Sequence, residues 1–282
     1  MTGFINIDKA AGVSSAREVN IIKKLTGTPC GHMGTLDPMA TGVLPIAIGN
    51  AARLFDYFLQ KRKTYLAIFR FGADSDTLDT TGNVVENAGG IPTLKEIEKV
   101  IPELVGEYYQ TAPKYSAKNI SGKRAYELAR AGVEFELPKK LITIYSMSVV
   151  PQEQKDSYGF EIECSGGTYI RSIARDIGER LGTYAIMSSL IRTKSGVFNI
   201  KDAVKTEILT AQNIKDFIIP TESVISYESI IPTPSEDKKL FNGLSVESDK
   251  PDGIYKIYRS EGSFYGLAEV KNSNLKVRTK LC

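Results

Sequence analysis

Two hydrophobic periods alternate along this chain and divide most of it into strands and helices. The opening run Met-Thr-Gly-Phe-Ile-Asn-Ile-Asp is apolar enough to predict a strand. Val19, Ile22 and Leu25 then recur on one helical face, with Ser15 and Glu18 predicting a capping box at its start and Gly27 a stop at its end. After a glycine-punctuated stretch from Gly31 to Gly49, Asn50 predicts the cap of a second helix running to about Leu59. Aromatic and β-branched residues from Thr64 to Phe71 predict a strand. Asp74-Ser-Asp-Thr-Leu-Asp-Thr-Thr-Gly82 predicts an acidic turn held by local Asx hydrogen bonds; its glycine and acidic groups are misplaced for a calcium loop.

Further on, Thr93 and Glu96 predict the capped start of a helix that stops before Pro102, and Ser121 to Ala131 a short helix closed by Gly132. Strands are predicted at about 141–150 and 158–164. The clearest helix follows, Thr168 to Leu181, with Ile170, Ile173, Ala174, Ile177 and Leu181 on one face and Arg171 and Arg175 off it. Strands interleaved irregularly with helices predict an α+β fold rather than a doubly wound sheet. Residues 219–236 hold three prolines and several serines with little periodicity, and read as a connector. Beyond them, turns at Asn242-Gly, Asp252-Gly and Glu261-Gly predict short strands. The expected organisation is a main domain over 1–218, a connector over 219–236 and a small β module over 237–282. A module this small has to dock on the main domain to be stable.

Composition adds mainly exclusions. With 42% hydrophobic and 24% charged residues the chain has an ordinary globular make-up. No apolar run reaches the ~20 residues of a membrane helix, and the N-terminus lacks the features of a secretory signal. The cytoplasm is the expected setting, with no membrane partner. Cys30, Cys164 and Cys282 are too few and too far apart for a disulfide framework or a metal site. His32 is the only histidine, which disfavours a zinc enzyme and leaves a triad hydrolase without a nucleophile elbow. Net charge is a modest +3, but phosphate contacts depend on local clusters. Such clusters are Lys61-Arg62-Lys63, the spread Lys114, Lys118, Lys123 and Arg124, and Arg171 with Arg175. The tail from Leu275 to Leu281 alternates apolar and basic residues, as a strand with one cationic face does. Any one cluster alone reads as a solvated face.

The stretch Gly31-His-Met-Gly-Thr-Leu-Asp-Pro-Met-Ala-Thr-Gly-Val-Leu-Pro-Ile46 holds the candidate chemistry. Its glycines permit positive backbone angles or close approach of another backbone. On the residues alone, Asp37 before Pro38 reads as a helix N-cap with proline at the first helical position, and that reading outweighs a catalytic one.

This segment resembles the signature of TruB-type pseudouridine synthases, Gly-His-x-Gly-Thr-Leu-Asp-Pro-x-Ala-Thr-Gly-x-Leu-Pro. The resemblance implies that Asp37 is catalytic and that His32 lies beside the active site and contacts RNA. Lys63-Thr-Tyr65 is similar to the family's Lys-x-Tyr, implying that Tyr65 stacks on the target base. Gln110-Thr-Ala-Pro-Lys-Tyr-Ser-Ala-Lys118 with Gly122-Lys-Arg-Ala-Tyr126 resembles the segment around Pro-Pro-x-Tyr-Ser-Ala. Cys164-Ser-Gly-Gly-Thr-Tyr-Ile-Arg171 resembles Gly-Thr-Tyr-Ile-Arg and places an active-site tyrosine and arginine at Tyr169 and Arg171. Leu190-Ile-Arg-Thr resembles Leu-Arg-Arg-Thr, whose leucine lines the pocket. Ala112, Ile186 and Ile191 depart from the pattern, at positions where peripheral RNA contacts are affected.

The resemblance runs through residues 3 to about 200. It implies a pseudouridine-synthase fold, a mixed and mostly antiparallel sheet flanked by helices and loops, with a short PUA-like C-terminal module. The implied activity is isomerisation of uridine 55 in the T loop of tRNA, with the base flipped out of its stack. It requires no cofactor, metal or obligate protein partner, and a monomer is the default. Asp37 would have to stay ionised in a dry pocket, which an arginine partner favours, and Arg171 is the natural candidate. The rival readings are a guide-RNA-dependent synthase of the dyskerin type, a non-catalytic RNA-binding module and a purely structural protein. Activity on bare tRNA and salt-dependent binding separate them.

Overall fold

The computed structural model describes residues 1–282 apart from Asn87, Ala117 and Ser121. Its centre is a nine-stranded sheet whose main path runs Gly3–Lys9, Thr41–Ile48, Ala185–Ser195, Lys63–Phe71, Ser157–Cys164, Lys139–Pro151, Gly106–Thr111. Every neighbouring pair on this path is antiparallel except Thr41–Ile48 with Ala185–Ser195. The architecture is therefore the expected α+β one, with a mixed, mostly antiparallel sheet.

Alternation decides which face is covered. Along Lys63–Phe71 the odd-numbered residues are buried and the even ones are exposed or half-buried. Tyr65, Ala67, Phe69 and Phe71 join one core with Ile97, Val100, Ile101 and Leu104 of the helix Leu94–Leu104 and Ile170, Ile173 and Ile177 of the helix Ile170–Arg180. Phe69 and Phe160 on adjacent strands hold their ring centroids 4.6 Å apart.

Several local expectations shift. The helix Ser15–Thr26 is capped by Ser14, whose hydroxyl accepts from the Arg17 N–H, and Gly27 ends it in a left-handed conformation. Asn50 caps nothing; its amide donates to the Cys282 carbonyl, and the segment is a 3₁₀ turn, Gly49–Leu54, leading into the short helix Phe55–Leu59. Thr93 and Glu96 do form a capping box, but their helix runs past Pro102 to Leu104. The buried face of Ile97, Val100, Ile101 and Leu104 outweighs the one hydrogen bond that proline removes. The acidic stretch is a turn with Asx bonds, as Asp74, Asp76 and Asp79 all accept from nearby backbone N–H groups. Ser121 lies outside the described residues, and the helix expected from it spans Ala125–Arg130.

Toward the C-terminus, a second sheet of five strands runs Ser229–Ile230, Gly253–Tyr258, Phe264–Lys271, Asn274–Lys280, Val246–Glu247. It carries a helix the alternation did not predict, Pro234–Phe241, with Thr233 and Glu236 as a capping box and proline at its first turn. Lys276, Arg278 and Lys280 are exposed along the last strand, which gives it the expected cationic face. Leu281 is buried with Phe4, Phe58, Phe198 and Val224, and Arg53 donates to the Lys280 carbonyl at 3.0 Å. Those contacts dock the C-terminal strands on the large sheet. No helix among the described residues is long and apolar enough to cross a membrane.

Candidate active site

The strand Ala185–Ser195 sits between Thr41–Ile48 and Lys63–Phe71, so its Leu190 and Arg192 meet the loop that precedes residue 41. Gly42 makes that approach possible. Its φ is +96°, and a β-carbon there would collide with the Arg192 backbone. The loop itself is a β-turn, not a helix start. The Ala40 N–H donates to the Asp37 carbonyl at 3.0 Å, with Pro38 second in the turn, so the N-cap reading of Asp37 is excluded.

Asp37 faces a cavity of about 260 Å³ lined also by Leu36, Lys63, Tyr65, Tyr115, Ser116, Tyr169, Arg171, Leu190 and Arg192. Arg171 grips the carboxylate side-on, with Nε 2.9 Å from Oδ2 and Nη2 3.2 Å from Oδ1. The same guanidinium donates to the Thr77 carbonyl at 2.9 Å and the Tyr115 carbonyl at 3.1 Å, and lies 3.5 Å from the Asp79 carboxylate. Arg171 is thus buried at the base of its helix rather than on a solvated face, while the Asp37 side chain remains 32% exposed toward the cavity.

The strand alternation that buries Tyr65 also puts its ring on the cavity wall, where burial pushes the phenol pKa up. It therefore presents a neutral π-face. Tyr169 holds the N-cap of the helix Ile170–Arg180, which starts two residues later than expected. Gln110 clamps it, accepting from the Tyr169 N–H at 2.8 Å and donating to its carbonyl at 3.1 Å. Five of the six expected site residues, Asp37, Tyr65, Tyr169, Arg171 and Leu190, share this one cavity. His32 does not line it. It lies in the strand Cys30–His32 opposite Ile46, half-buried, with Nδ1 shut off from solvent and without a hydrogen-bond partner among the described residues. Burial, with help from Arg192, lowers its pKa and favours a neutral ring.

The Asp37 loop is strapped down from three sides, by residues that the sequence patterns did not place at the site. The Ser15 hydroxyl bonds the Leu36 backbone in both directions, donating to its carbonyl and accepting from its N–H at 2.9 Å each. The Lys9 ammonium donates to the carbonyls of Ala10, Val13 and Pro38. Arg192, 1% exposed, donates to the carbonyls of Val43 at 2.7 Å, Gly34 at 3.0 Å and Thr35 at 3.3 Å. Lys63, whose side chain lies with that of Arg192 against Gly34, donates to the carbonyls of Phe58, Leu59 and Lys61, and burial, then Arg192, push its pKa down to about 8.

A family model for the N-terminal domain of TruB family pseudouridylate synthases matches residues 23–170, and one for the tRNA pseudouridylate synthase B C-terminal domain matches 171–226. The chain belongs to the TruB family. As such it is an enzyme that isomerises uridine to pseudouridine. Relatives described as tRNA pseudouridine synthase B include one from Clostridium kluyveri, 38% identical over 98% of both chains. Another, from Caldicellulosiruptor saccharolyticus, is 42% identical over 86% of this chain and 83% of its own. One from Aquifex aeolicus is 37% identical over 100% of both. Among solved structures, a chain of a Cbf5-Nop10-Gar1 complex superposes with a TM-score of 0.73 at 24% identity, over 99% of this chain and 85% of its own, which establishes a shared fold.

Within the TruB family frame, Lys63 and Arg192 had a legible signal. Each stands two residues from a pocket residue on the same strand, Tyr65 and Leu190, and so shares its face. Gln110 opened the segment resembling the family's Pro-Pro-x-Tyr-Ser-Ala region but was given no role there, whereas Asp79 and Ser15 had no such signal, since only the tertiary fold brings them to the site.

Proposed function

We propose that this TruB family enzyme converts uridine 55 in the T loop of tRNA to pseudouridine, acting on a base flipped out of its stack and using Asp37 without a cofactor. The observation that carries this reading is the Asp37–Arg171 pair at the floor of a cavity walled by Tyr65, Tyr169 and Leu190. The reaction breaks the N1–C1′ bond, turns the uracil and joins C5 to C1′. A proton leaves C5 and one is gained at N1, so neither a redox partner nor a group donor enters the balance. An ionised carboxylate serves this chemistry as nucleophile or base. Arg171 grips and aims Asp37, Tyr65 offers its face to the uracil, and Tyr169 and Leu190 close the walls. His32, outside the cavity, is left to contact RNA on the approach. The partner is the T arm of tRNA, read by shape and phosphate contacts. A monomer with no obligate protein partner suffices, and the cytoplasm is where such a substrate is met.

Wild-type protein and Asp37→Asn are to be compared on an unmodified tRNA transcript, with product scored by chemical labelling and binding by filter retention. Wild type turns over unaided, and Asp37→Asn binds without product. Binding without turnover by wild type would sink the stand-alone reading and favour a guide-dependent or purely binding role.

A further inference from the structure

One polar group on the cavity wall has no partner. Ser116 lines the same cavity as Asp37 and Arg171 and is 4% exposed. Its Oγ is shut off from solvent without a hydrogen-bond partner among the described residues. Buried hydroxyls are nearly always paired, so an orphan on a ligand cavity marks a bond that a ligand completes.

The backbone around Ser116 is fixed without the hydroxyl. Arg171 donates to the Tyr115 carbonyl at 3.1 Å, the Tyr126 N–H to the Ser116 carbonyl at 3.1 Å and the Ala125 N–H to the Lys118 carbonyl at 2.8 Å. The guanidinium that aligns Asp37 therefore also sets where this hydroxyl sits.

We propose that the Ser116 side chain, whose Oγ is closed off from the cavity, turns about Cα–Cβ as the base enters, donates a hydrogen bond to a ring carbonyl of the flipped uracil and recovers an equivalent bond after the ring has turned. The inference rests on the uridine-isomerase reading above and deepens it. Turning uracil about its N3–C6 axis exchanges N1 with C5, as the reaction requires. The same turn exchanges O2 with O4, so the ring presents carbonyl oxygens at the same two places before and after. A donor aimed at either place is satisfied in both states, whereas a group aimed at N1 or C5 is not. A hydroxyl also rotates about its Cβ–Oγ bond and can follow the ring. No atom passes to or from Ser116; the bonds broken and made are those between uracil and C1′.

The test compares wild type with Ser116→Ala in single-turnover reactions on tRNA transcripts carrying uridine, 2-thiouridine or 4-thiouridine at the target position. Sulfur is the weaker acceptor. The variant is expected to bind the transcript within about twofold of wild type, because backbone phosphate contacts dominate affinity. It should melt no lower, since it loses only an unpaired hydroxyl, and should convert uridine roughly three- to tenfold more slowly, the worth of one neutral hydrogen bond. At least one thio-substitution should slow wild type more than the variant, which has already lost the bond. A variant as fast as wild type, one slowed by sulfur to the same degree, or one that melts markedly lower would each overturn the assignment. Should wild type itself fail on every transcript, the isomerase reading falls and takes this one with it. An active wild type beside an unaffected variant refutes Ser116 alone.

Discussion

Arg192→Lys keeps a buried positive charge and removes only the fork that distributes it. The guanidinium reaches the carbonyls of Val43, Gly34 and Thr35 from three different nitrogens, and no carboxylate among the described residues pairs with it. A single ammonium cannot span all three. Val43 is fully buried and makes the shortest bond, so a lysine keeps that one and releases Gly34 and Thr35. A charge-assisted bond is worth about 1.5–3 kcal/mol. Gly34 is half-buried and Thr35 exposed, so water recovers part of the loss. The net expectation is about 2–3 kcal/mol of stability, roughly a 4–10 °C drop in melting temperature for a chain of this size. The kinetic effect is larger in proportion. Thr35 is two residues from Asp37, and a misplacement of about 1 Å costs on the order of a hundredfold in rate. The readouts are thermal melting, filter binding of tRNA and single-turnover release of tritium from C5 of the target uridine. Affinity should hold while melting and rate both fall. Unchanged melting at full rate would show that these carbonyl bonds do not hold the loop, and a loss of affinity at full rate would make Arg192 a phosphate contact instead.

Two further predictions follow from neighbouring side chains. Asp79→Asn turns a charge facing Arg171 at 3.5 Å into a dipole, while its other oxygen keeps accepting from Thr77 and Thr81. Single-turnover rate should drop roughly ten- to a hundredfold with RNA affinity nearly unchanged; a rate within twofold of wild type would remove Asp79 from the network. For Lys63, whose pKa of about 8 lies below the ordinary 10.5, the unfolded chain binds more protons between those two values. The stability this group contributes is therefore complete above about 10.5 and is lost as pH falls through about 8. Urea unfolding of wild type should gain up to about 3 kcal/mol on Lys63→Met across that window, and a pH-independent difference would contradict the buried-ammonium account.

How far the sequence could be read depended on whether a residue's role was local. Tyr65, Tyr169, Arg171 and Leu190 lay inside short motifs, and the cavity collects all of them with Asp37. Pro102 misled because a local rule, proline ends a helix, lost to a tertiary one, the burial of Leu104. Ser15 misled in the opposite way. Its spacing to Glu18 fitted a capping box, yet the adjacent Ser14 caps the helix and Ser15 bonds Leu36, 21 positions away. The helix Pro234–Phe241 was written plainly in Thr233, Pro234 and Glu236 and was hidden by the proline-rich composition around it.

The modest net charge says little about the site for a related reason, and the straps on the Asp37 loop explain why. Lys9, Lys63 and Arg192 are buried cations that satisfy themselves on backbone carbonyls and make no salt bridge among the described residues. Carbonyl dipoles solvate a charge without cancelling it, so the positive field survives where a carboxylate partner would have quenched it. The cavity lining accordingly carries Lys63, Arg171 and Arg192 against one carboxylate, Asp37. Even with Asp79 set against Arg171 behind the lining, a local excess of positive charge remains, and it acts on a polyanion at closer range than the chain's overall +3 suggests. The clamps that hold Asp37 rigid thus also make the cavity attractive to a nucleotide. Rigidity and attraction come from the same nitrogens, which is why a charge-preserving substitution such as Arg192→Lys can separate them.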